Sequence, residues 1–286
     1  MKSTFVFLTL IGLMISVNQA FSQVQPVKVD LFSHGSRLNA MFYTSSDPGL
    51  KPVVILLHGW PGNNDNPLGL APKICGKGLH VLVFNYRGTY GSEGYTSLQN
   101  SAEDIVEAFR LMKEKEFSLK HQIDTSQIVI AGYSYGGGAM MAAAFDHPEL
   151  KRLISIAGAD LSAFIRKLMD DKDFRANYEE RMKTHSAQGG FARMEGDISS
   201  FIDTMIKNMD HFDLVKNAAS LTDRKILLIV GWDDTTSFME VNALPLYRRL
   251  KELRAPGVSI TAFTDNHSYS KSRDEIATTI ADWIRK

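Results

Sequence analysis

The chain has 286 residues, of which 44% are hydrophobic and 22% are charged, and its formal net charge is zero. This composition is that of a globular protein, long enough for one large domain or for one domain with an inserted lid. The balanced charge and the absence of a long run of Lys and Arg argue against nucleic-acid binding. The single cysteine, Cys75, excludes an intramolecular disulfide and a CxxC zinc or redox site.

The first 22 residues resemble a secretory signal peptide. Lys2 supplies a positive charge, residues 5–17 are mostly apolar, and Ala20 and Ser22 are small residues suited to a cleavage site. The alternative is a membrane anchor, but this apolar stretch falls short of the roughly 20 residues needed to span a bilayer. We therefore predict an exported protein, periplasmic or secreted, with no stable membrane anchor after cleavage and with residues 23–286 as its folded domain.

The next segments alternate between strand and helix patterns. Residues 27–43 predict a β-hairpin, and short apolar runs then predict strands buried on both faces, at 53–57, 81–86, 128–133, 153–157, 226–230 and 258–263. Helical patterns lie between these strands, at 101–116, 136–145, 238–253 and 272–284. The alternation predicts right-handed βαβ units, and hence an α/β fold with a mainly parallel sheet covered by helices on both faces.

Residues 160–224 interrupt this alternation. They carry no strand pattern, but two apolar stripes with helical spacing run through Leu161, Phe164, Ile165, Leu168 and Met169 and through Phe201, Ile202, Met205, Ile206 and Met209. Gly189 and Gly190 separate the stripes. Because the segment is too long for a bare loop, we predict a helical insertion. It is interpreted as a lid over a pocket; the alternative is a set of packing helices remote from any site.

The stretch AGYSYGGGAM, residues 131–140, places Ser134 between Gly132 and Gly136. A Gly-x-Ser-x-Gly match alone arises by chance in about one chain in ten of this length. Here the serine directly follows a predicted strand and directly precedes a predicted helix, which is the setting of a nucleophile elbow. The glycines remove side chains that would collide where strand and helix meet. We therefore predict Ser134 as a nucleophile.

A serine hydroxyl needs a base to take its proton, and eight histidines are candidates. His267 lies in the loop TDNHSYS, between the last predicted strand and the last predicted helix. The other seven have simpler explanations, since they lie in the hairpin turn, at a strand start, near helix ends, in the insertion or, for His58, in the loop HGWPG. We predict His267 as the base.

The base in turn needs a carboxylate to fix its tautomer and stabilise its cation. The strand at 226–230 is followed by GWDD, which offers Asp233 and Asp234. Asp160, after the preceding strand, is a third candidate, although its position suits a cap on the first inserted helix better.

A developing oxyanion needs hydrogen-bond donors that are already in place. We predict two backbone N–H groups in this role, that of Tyr135 in the nucleophile turn and that of Trp60 in HGWPG. Pro61 and Gly62 form the turn that presents Trp60. The alternative is an ordinary Pro-Gly turn.

Five motifs together resemble the serine α/β-hydrolase superfamily: LLHGWPG, NYRGTYGSEG, GYSYGG, GWDDTTS and DNHSYS occur in that order. The resemblance runs from about Val27 to the C-terminus and leaves the insertion unmatched, and GYSYGG most resembles the catalytic domain of the prolyl oligopeptidase group. It implies the α/β-hydrolase fold, with Ser134 as nucleophile, His267 as base and, as acid, the aspartate three residues after Gly231, which is Asp234. The chain departs from the family at residues 235–237, which read TTS where an apolar residue and a proline are common.

The expected activity is hydrolysis of carboxylic esters by an exported enzyme, through an acyl-enzyme on Ser134. No metal or organic cofactor is implied. Substrates would be small esters or short acyl or peptidyl molecules. The alternatives are a small serine peptidase or aminopeptidase like those of the prolyl oligopeptidase group, or an acyltransferase. The esterase is favoured because the propeller that precedes the hydrolase domain in those peptidases has no counterpart before residue 53. A non-catalytic binding protein on this fold is disfavoured by the intact Ser, Asp and His. The sequence does not specify an oligomeric state.

Overall fold

A computed structural model describes residues 25–62, 66–187 and 192–286, with side chains described up to residue 184 in the second range. The predicted signal peptide and the Gly189–Gly190 break lie outside these residues. Within the described chain, no helix combines the length and the apolar character needed to cross a membrane.

The centre of the protein is an eight-stranded sheet in the order β1-β2-β4-β3-β5-β6-β7-β8. Its strands are β1 (Val27–Ser33), β2 (Ser36–Tyr43), β3 (Lys51–Leu57), β4 (His80–Phe84), β5 (Ile123–Tyr133), β6 (Arg152–Ile156), β7 (Lys225–Gly231) and β8 (Val258–Phe263). β1 and β2 form the predicted hairpin, β2 runs antiparallel to β4, and the pairs from β4 to β8 are parallel. The predicted α/β class and the mainly parallel sheet are therefore confirmed.

The hairpin turn explains why β1 and β2 pair in register. His34 and Gly35 both have positive φ, 47° and 79°, as a two-residue type I′ turn requires. Pairing then runs from Ser33 opposite Ser36 to Val27 opposite Phe42.

In the described ranges, ten α helices cover the sheet or extend from it. They are α1 (Leu70–Cys75), α2 (Leu98–Lys113), α3 (Lys115–Lys120), α4 (Tyr135–Asp146), α5 (Leu161–Asp170), α6 (Lys172–Ala187), α7 (Ile198–Lys207), α8 (Met239–Asn242), α9 (Leu244–Glu252) and α10 (Arg273–Arg285). α1 and α10 pack on one face, whereas α2, α4 and α9 pack on the other. Each face thus buries its own apolar layer, which is why the central strands read as continuous apolar runs.

Two predicted helices are interrupted in the structure. The pattern at 238–253 is divided into α8 and α9 because Pro245 has no N–H for an internal helical hydrogen bond and is accommodated only in the first turn of a helix. The pattern at 101–116 ends at Lys113, because Glu114 has an extended backbone with ψ of 129°, and α3 then starts at Lys115.

The described residues between β6 and β7 contain α5, α6, α7 and two 3₁₀ segments, Met209–Phe212 and Ala218–Leu221. The two predicted apolar stripes form α5 and most of α7. α6 was not predicted from the sequence, because its narrow stripe of Phe174, Tyr178 and Met182 runs through mostly polar residues.

The chain order fixes where a site can form. β4 lies on one side of β3 and β5 lies on the other, so the connections leaving β3 and entering β5 run in opposite directions across the sheet. The crevice at the C-terminal ends of β3 and β5 is therefore the topological switch point, where open α/β sheets bind their ligands.

Candidate active site

Ser134 lies at the switch point, between the end of β5 and the start of α4. Its backbone has φ of 52° and ψ of −117°, a conformation that a non-glycine residue adopts only when its surroundings enforce it. The Ser134 N–H donates to the carbonyl of Ile156 at 2.9 Å, and the Ser134 carbonyl accepts from the N–H groups of Gly137 and Ala159. Three hydrogen bonds thus hold the strained residue in place.

The flanking glycines are required by close approach of the backbone. A Cβ on Gly132 would lie 2.3 Å from the carbonyl oxygen of Gly136. A Cβ on Gly136 would lie 2.8 Å from the carbonyl oxygen of His58 and 2.9 Å from the Cβ of Leu57. The glycines on either side of Ser134 therefore allow α4 to begin directly against β5 and β3.

Ser134, His267 and Asp234 come from three different loops and meet in one hydrogen-bonded chain. The Ser134 hydroxyl donates to Nε2 of His267 at 3.1 Å, and Nδ1–H of His267 donates to Oδ2 of Asp234 at 2.8 Å, in the tautomer with the proton on Nδ1. The carboxylate side chain is 1% exposed and the imidazole is 21% exposed. This is the arrangement of a serine nucleophile, a general base and an orienting carboxylate.

The other two candidate carboxylates lie elsewhere. Asp233 is exposed to solvent. Asp160 caps α5, because its Oδ1 accepts from the N–H groups of Ser162 and Ala163 at 2.9 and 3.3 Å. Of the three predicted alternatives, only Asp234 contacts His267.

The unusual TTS sequence after Asp234 completes the carboxylate's environment. Oδ1 of Asp234 accepts from the N–H groups of Thr236 and Ser237, both at 2.8 Å. A proline at either position would have no N–H to donate. Burial alone raises the pKa of Asp234, but the hydrogen bonds from His267, Ser237 and Thr236 outweigh burial and hold the pKa below its usual value. Asp234 therefore stays ionised beside the imidazole.

Tyr133, the residue before the nucleophile, supports the histidine loop, a role that sequence reasoning missed. Its hydroxyl donates to the carbonyl of His267 at 3.0 Å, and the two rings lie 5.0 Å apart between centroids. Asp265 holds the same loop by accepting from the N–H groups of Lys271 and Ser272. The only signal in the sequence was a bulky residue inside a Gly-x-Ser-x-Gly motif, which does not specify a partner.

The loop HGWPG follows β3 and lies beside the elbow. His58 is fully enclosed, and its Nδ1 donates to the carbonyl of Gly59 at 2.9 Å. Its ring occupies the space where a Cβ on Gly62 would fall, 2.2 Å away, and Gly62 has a φ of +101°. Burial lowers the pKa of His58 to about 4, against backbone hydrogen bonds that raise it. A neutral His58 thus fills the interior of the turn that carries Trp60.

The two residues predicted to supply the oxyanion donors lie beside Ser134. Trp60 and Tyr135 line one cavity with Ser134, and their rings lie 5.2 Å apart. Within the described parts of the chain, neither backbone N–H donates to an internal acceptor. Both are therefore available to a ligand atom.

This cavity has a volume of about 550 Å³, in the range of small-molecule sites. One wall comes from the insertion, where α5, α6 and α7 contribute mostly apolar and aromatic side chains. Phe201 of α7 stacks on Trp60 at 6.2 Å between ring centroids. The insertion is thus in direct contact with the loop beside Ser134, and not remote from it.

Comparison with known proteins gives one family-model match and several relatives. A model described as "alpha/beta hydrolase fold" matches residues 52–229. The lysophosphatidylserine lipase ABHD12 of Danio rerio is 22% identical over 267 residues, which cover 91% of this chain and 65% of that protein. An uncharacterized protein of Mycobacterium tuberculosis is 30% identical over 114 residues, covering 40% of this chain and 39% of that protein. The chain spans less than two thirds of the length of these relatives.

Solved structures share the fold at low sequence identity. Est1E from Butyrivibrio proteoclasticus superposes with a TM-score of 0.63 and 16% identity, covering 91% of this chain and 99% of that one. An acylaminoacyl peptidase from Pyrococcus horikoshii gives a TM-score of 0.65 and 18% identity, covering 93% of this chain but 42% of that one.

Proposed function

The chain belongs to the α/β-hydrolase family, and from this premise we propose that it is an exported serine hydrolase that cleaves carboxylic esters. The observation that carries the proposal is the continuous hydrogen-bonded chain Ser134–His267–Asp234, open to a cavity of about 550 Å³. Such a chain of side chains activates a serine for acyl transfer.

In the proposed reaction, the Ser134 hydroxyl oxygen attacks the ester carbonyl carbon while Nε2 of His267 takes the hydroxyl proton. The carbonyl oxygen becomes negative and accepts hydrogen bonds from the N–H groups of Tyr135 and Trp60. The C–O bond to the alcohol then breaks, and the leaving oxygen takes the proton from His267.

Water completes the cycle on the acyl-enzyme. It attacks the same carbonyl carbon and gives its proton to His267, the bond to Ser134 breaks, and the serine oxygen recovers that proton. Asp234 remains ionised throughout and stabilises the imidazolium. The helical insertion acts as a lid that forms one wall of the substrate cavity.

An activity-based probe tests the nucleophile. A fluorophosphonate should label the folded wild-type protein, and Ser134→Ala should abolish the labelling. Ser126→Ala is a matched control, because Ser126 is an exposed serine on β5 whose hydroxyl donates to Asp124. Absence of labelling in the folded wild type would contradict a serine hydrolase and favour a binding protein.

A second candidate, a small peptidase, is supported by the structural similarity to an acylaminoacyl peptidase. p-Nitrophenyl esters assayed beside aminoacyl and acylaminoacyl p-nitroanilides separate the two activities. Faster turnover of the esters supports the esterase, whereas faster turnover of the anilides supports the peptidase. Product formation that rises with added alcohol would instead indicate acyl transfer.

The proposed export rests on the sequence of residues 1–22. Expression of the full chain in a bacterium, followed by fractionation and N-terminal sequencing, tests it. A mature protein outside the cytoplasm that begins shortly after residue 20 or 22 supports export, and an uncleaved cytoplasmic protein contradicts it.

A further inference from the structure

The insertion is joined to the rest of the protein at Arg193, in the segment that leads into α7. The Arg193 N–H donates to the carbonyl of Gly88 at 2.7 Å, and the Arg193 carbonyl accepts from the N–H of Thr96 at 2.6 Å. Its guanidinium donates to the carbonyl of Ser92 at 2.6 Å. All three partners lie in residues 85–97, the β4–α2 loop, which begins with the motif NYRGTYGSEG.

The close approach of Arg193 explains one glycine of this motif. Gly88 has a φ of +74°, and a Cβ there would lie 2.5 Å from the backbone nitrogen of Thr96 and 2.8 Å from the carbonyl oxygen of Arg193. Gly91 has a similar φ of +82°, but the nearest atom to its Cβ would be 3.7 Å away, on Asn39. Position 91 therefore needs glycine for its φ alone, whereas position 88 also needs it for the contact with the insertion.

The β4–α2 loop is fixed by buried hydrogen bonds of its own. The Arg87 side chain is 8% exposed and donates through Nε to Oδ1 of Asp104 at 2.6 Å, while the Arg87 backbone N–H donates to Oδ2 at 2.7 Å. The Ser92 hydroxyl donates to the carbonyl of Asn85 at 2.7 Å and accepts from the N–H of Asn39 on β2 at 2.9 Å. Because breaking buried pairs of this kind is costly, the loop is a fixed platform for the insertion.

Arg193 leads directly into a wall of the substrate cavity. Four residues, 194–197, separate it from the start of α7. Phe201 and Met205 of α7 line the cavity, and Phe201 stacks on Trp60 at 6.2 Å between ring centroids. The attachment of Arg193 to the β4–α2 loop therefore helps to fix where this wall stands.

The position of α7 indicates which substrates would depend on it. α7 reaches the surroundings of Ser134 through Trp60, whose ring lies 5.2 Å from that of Tyr135 and 6.2 Å from that of Phe201. An acetyl group on Ser134 extends by one methyl group and would end before α7. A longer acyl chain would continue along the cavity and bury its methylene groups against Phe201 and Met205.

We propose that Arg193 is a positioning residue for substrate selection: its hydrogen bonds to the β4–α2 loop hold α7 in the cavity wall, so that esters with longer apolar acyl chains are favoured over acetyl esters. This inference rests on the proposed esterase function. Each methylene group that leaves water for an apolar wall contributes up to about fourfold in affinity, so the selection depends on how firmly the wall is held.

The acyl-chain selectivity of Arg193→Met tests the proposal. The variant keeps the length of the side chain but removes its donors, and because Arg193 is exposed the core stays intact. We expect the ratio of kcat/KM for p-nitrophenyl octanoate to that for p-nitrophenyl acetate to fall by about threefold to fivefold, the effect of one lost hydrogen bond. The loss should lie in KM for the octanoate, since wall contacts stabilise ground state and transition state alike. An unchanged ratio would overturn the proposal.

Two further substitutions separate the hydrogen bond from a general effect of the change. Arg193→Lys retains a donor of similar reach and should keep the ratio within about twofold of the wild type. Arg248→Met makes the same change at an exposed arginine on α9 and should leave the ratio unchanged. A ratio in either of these variants as low as that in Arg193→Met would contradict the proposal.

The glycines of the β4–α2 loop test the same contact from the other side. Gly88→Ala and Gly91→Ala both force alanine into a positive φ, but only Gly88→Ala places a Cβ against the Arg193 carbonyl. The ratio should fall in Gly88→Ala at least as far as in Arg193→Met and stay near the wild-type value in Gly91→Ala. Equal ratios in the two glycine variants would contradict the proposal, and if Gly88→Ala does not fold, the Arg193 variants decide.

Hydrogen exchange without substrate keeps the inference separate from the proposed chemistry. Arg193→Met should raise the exchange rates of the α7 amides by about fivefold and leave those of β5 and α4 unchanged, because local openings of one element need not involve the others. Faster exchange in α7 supports the attachment even if the protein hydrolyses no ester. Unchanged exchange in α7 contradicts it even if esters are good substrates.

Discussion

At the residue scale, His267 depends on a single carboxylate. Asp234 is buried with three hydrogen bonds, whereas its neighbour Asp233 is exposed. The chain therefore contains its own matched control for the predicted role of Asp234 as the orienting acid.

We expect Asp234→Asn to lower kcat by about 10⁴, as for the same change in a serine protease triad. The asparagine oxygen can still accept from Thr236 and Ser237, but its NH₂ group would face Nδ1 of His267 and impose the wrong tautomer. Asp233→Asn should change kcat by less than about twofold, since exposed substitutions away from such features have small effects. Steady-state kinetics of both variants check this, and the reverse order would show that Asp233 orients the histidine.

Tyr133 is a positioning residue for the same histidine. Tyr133→Phe removes the hydrogen bond to the His267 carbonyl, a loss of about 1 kcal/mol. Because the hydroxyl contacts the loop and not the substrate, kcat should fall by about threefold to tenfold while KM stays constant. Tyr247→Phe, on the surface helix α9, is the control. A change confined to KM would indicate instead that Tyr133 contacts the substrate.

At the scale of elements, the junction between β5 and α4 tolerates no side chain at its glycines. In Gly132→Ala the new Cβ would overlap the carbonyl oxygen of Gly136, so the junction must open. We expect a loss of about 3 kcal/mol in the free energy of unfolding, the range of forced overpacking. Gly76→Ala has a nearest contact at 3.4 Å and should cost under about 1 kcal/mol. Urea denaturation of both variants checks the difference, and equal stabilities would contradict the close approach.

The strands were predicted from the sequence more accurately than the helices were. Strands buried on both faces appear as apolar runs, so each run lies within or next to an observed strand; β5 alone starts five residues before its run, because its first residues are largely polar. α6 was missed because most of its residues are polar and its stripe is narrow. The break before α9 comes from Pro245, whose effect depends on where the first turn of the helix falls.

The candidate site could be predicted from sequence because its side chains lie within about four residues of the ends of strands. Ser134, Trp60, Asp234 and His267 come after β5, β3, β7 and β8, and parallel strands bring their C-terminal ends to one edge. Asp234 was chosen over Asp233 through the family resemblance, which places the acid three residues after Gly231, because the residues alone left both open. The support from Tyr133 depends on how β5 and the His267 loop approach each other, and residue spacing does not encode that approach.

At the scale of the whole molecule, buried histidines make stability depend on pH. Burial lowers the pKa of His58 to about 4 in the folded protein, from an ordinary value of 6.5. Between these values the unfolded chain binds the proton and the folded chain does not, so stability falls as pH is lowered from about 6.5 to 4. The shift corresponds to about 3 kcal/mol at the low end. His80 and His121, whose pKa values burial also lowers, act in the same direction.

We therefore expect His58→Asn to lose about 2.4 kcal/mol less stability than the wild type when the pH is lowered from 7 to 4.5. Urea denaturation at both pH values measures the difference. His147→Asn, a substitution at the surface end of α4, is the control and should follow the wild type. If the wild type and His58→Asn lost equal stability, His58 could not be neutral and buried in the folded protein.

The insertion leaves the sheet after β6 and returns at β7, and these strands are direct neighbours. These strands are parallel, so the segment leaves at their C-terminal ends and must return to the opposite edge of the sheet, about 13 Å away over four residues of strand. It is therefore both a wall of the cavity and the crossover that joins two parallel strands. Its cavity-facing residues can change without moving Ser134, Asp234 or His267, provided that a replacement still spans the sheet from one edge to the other.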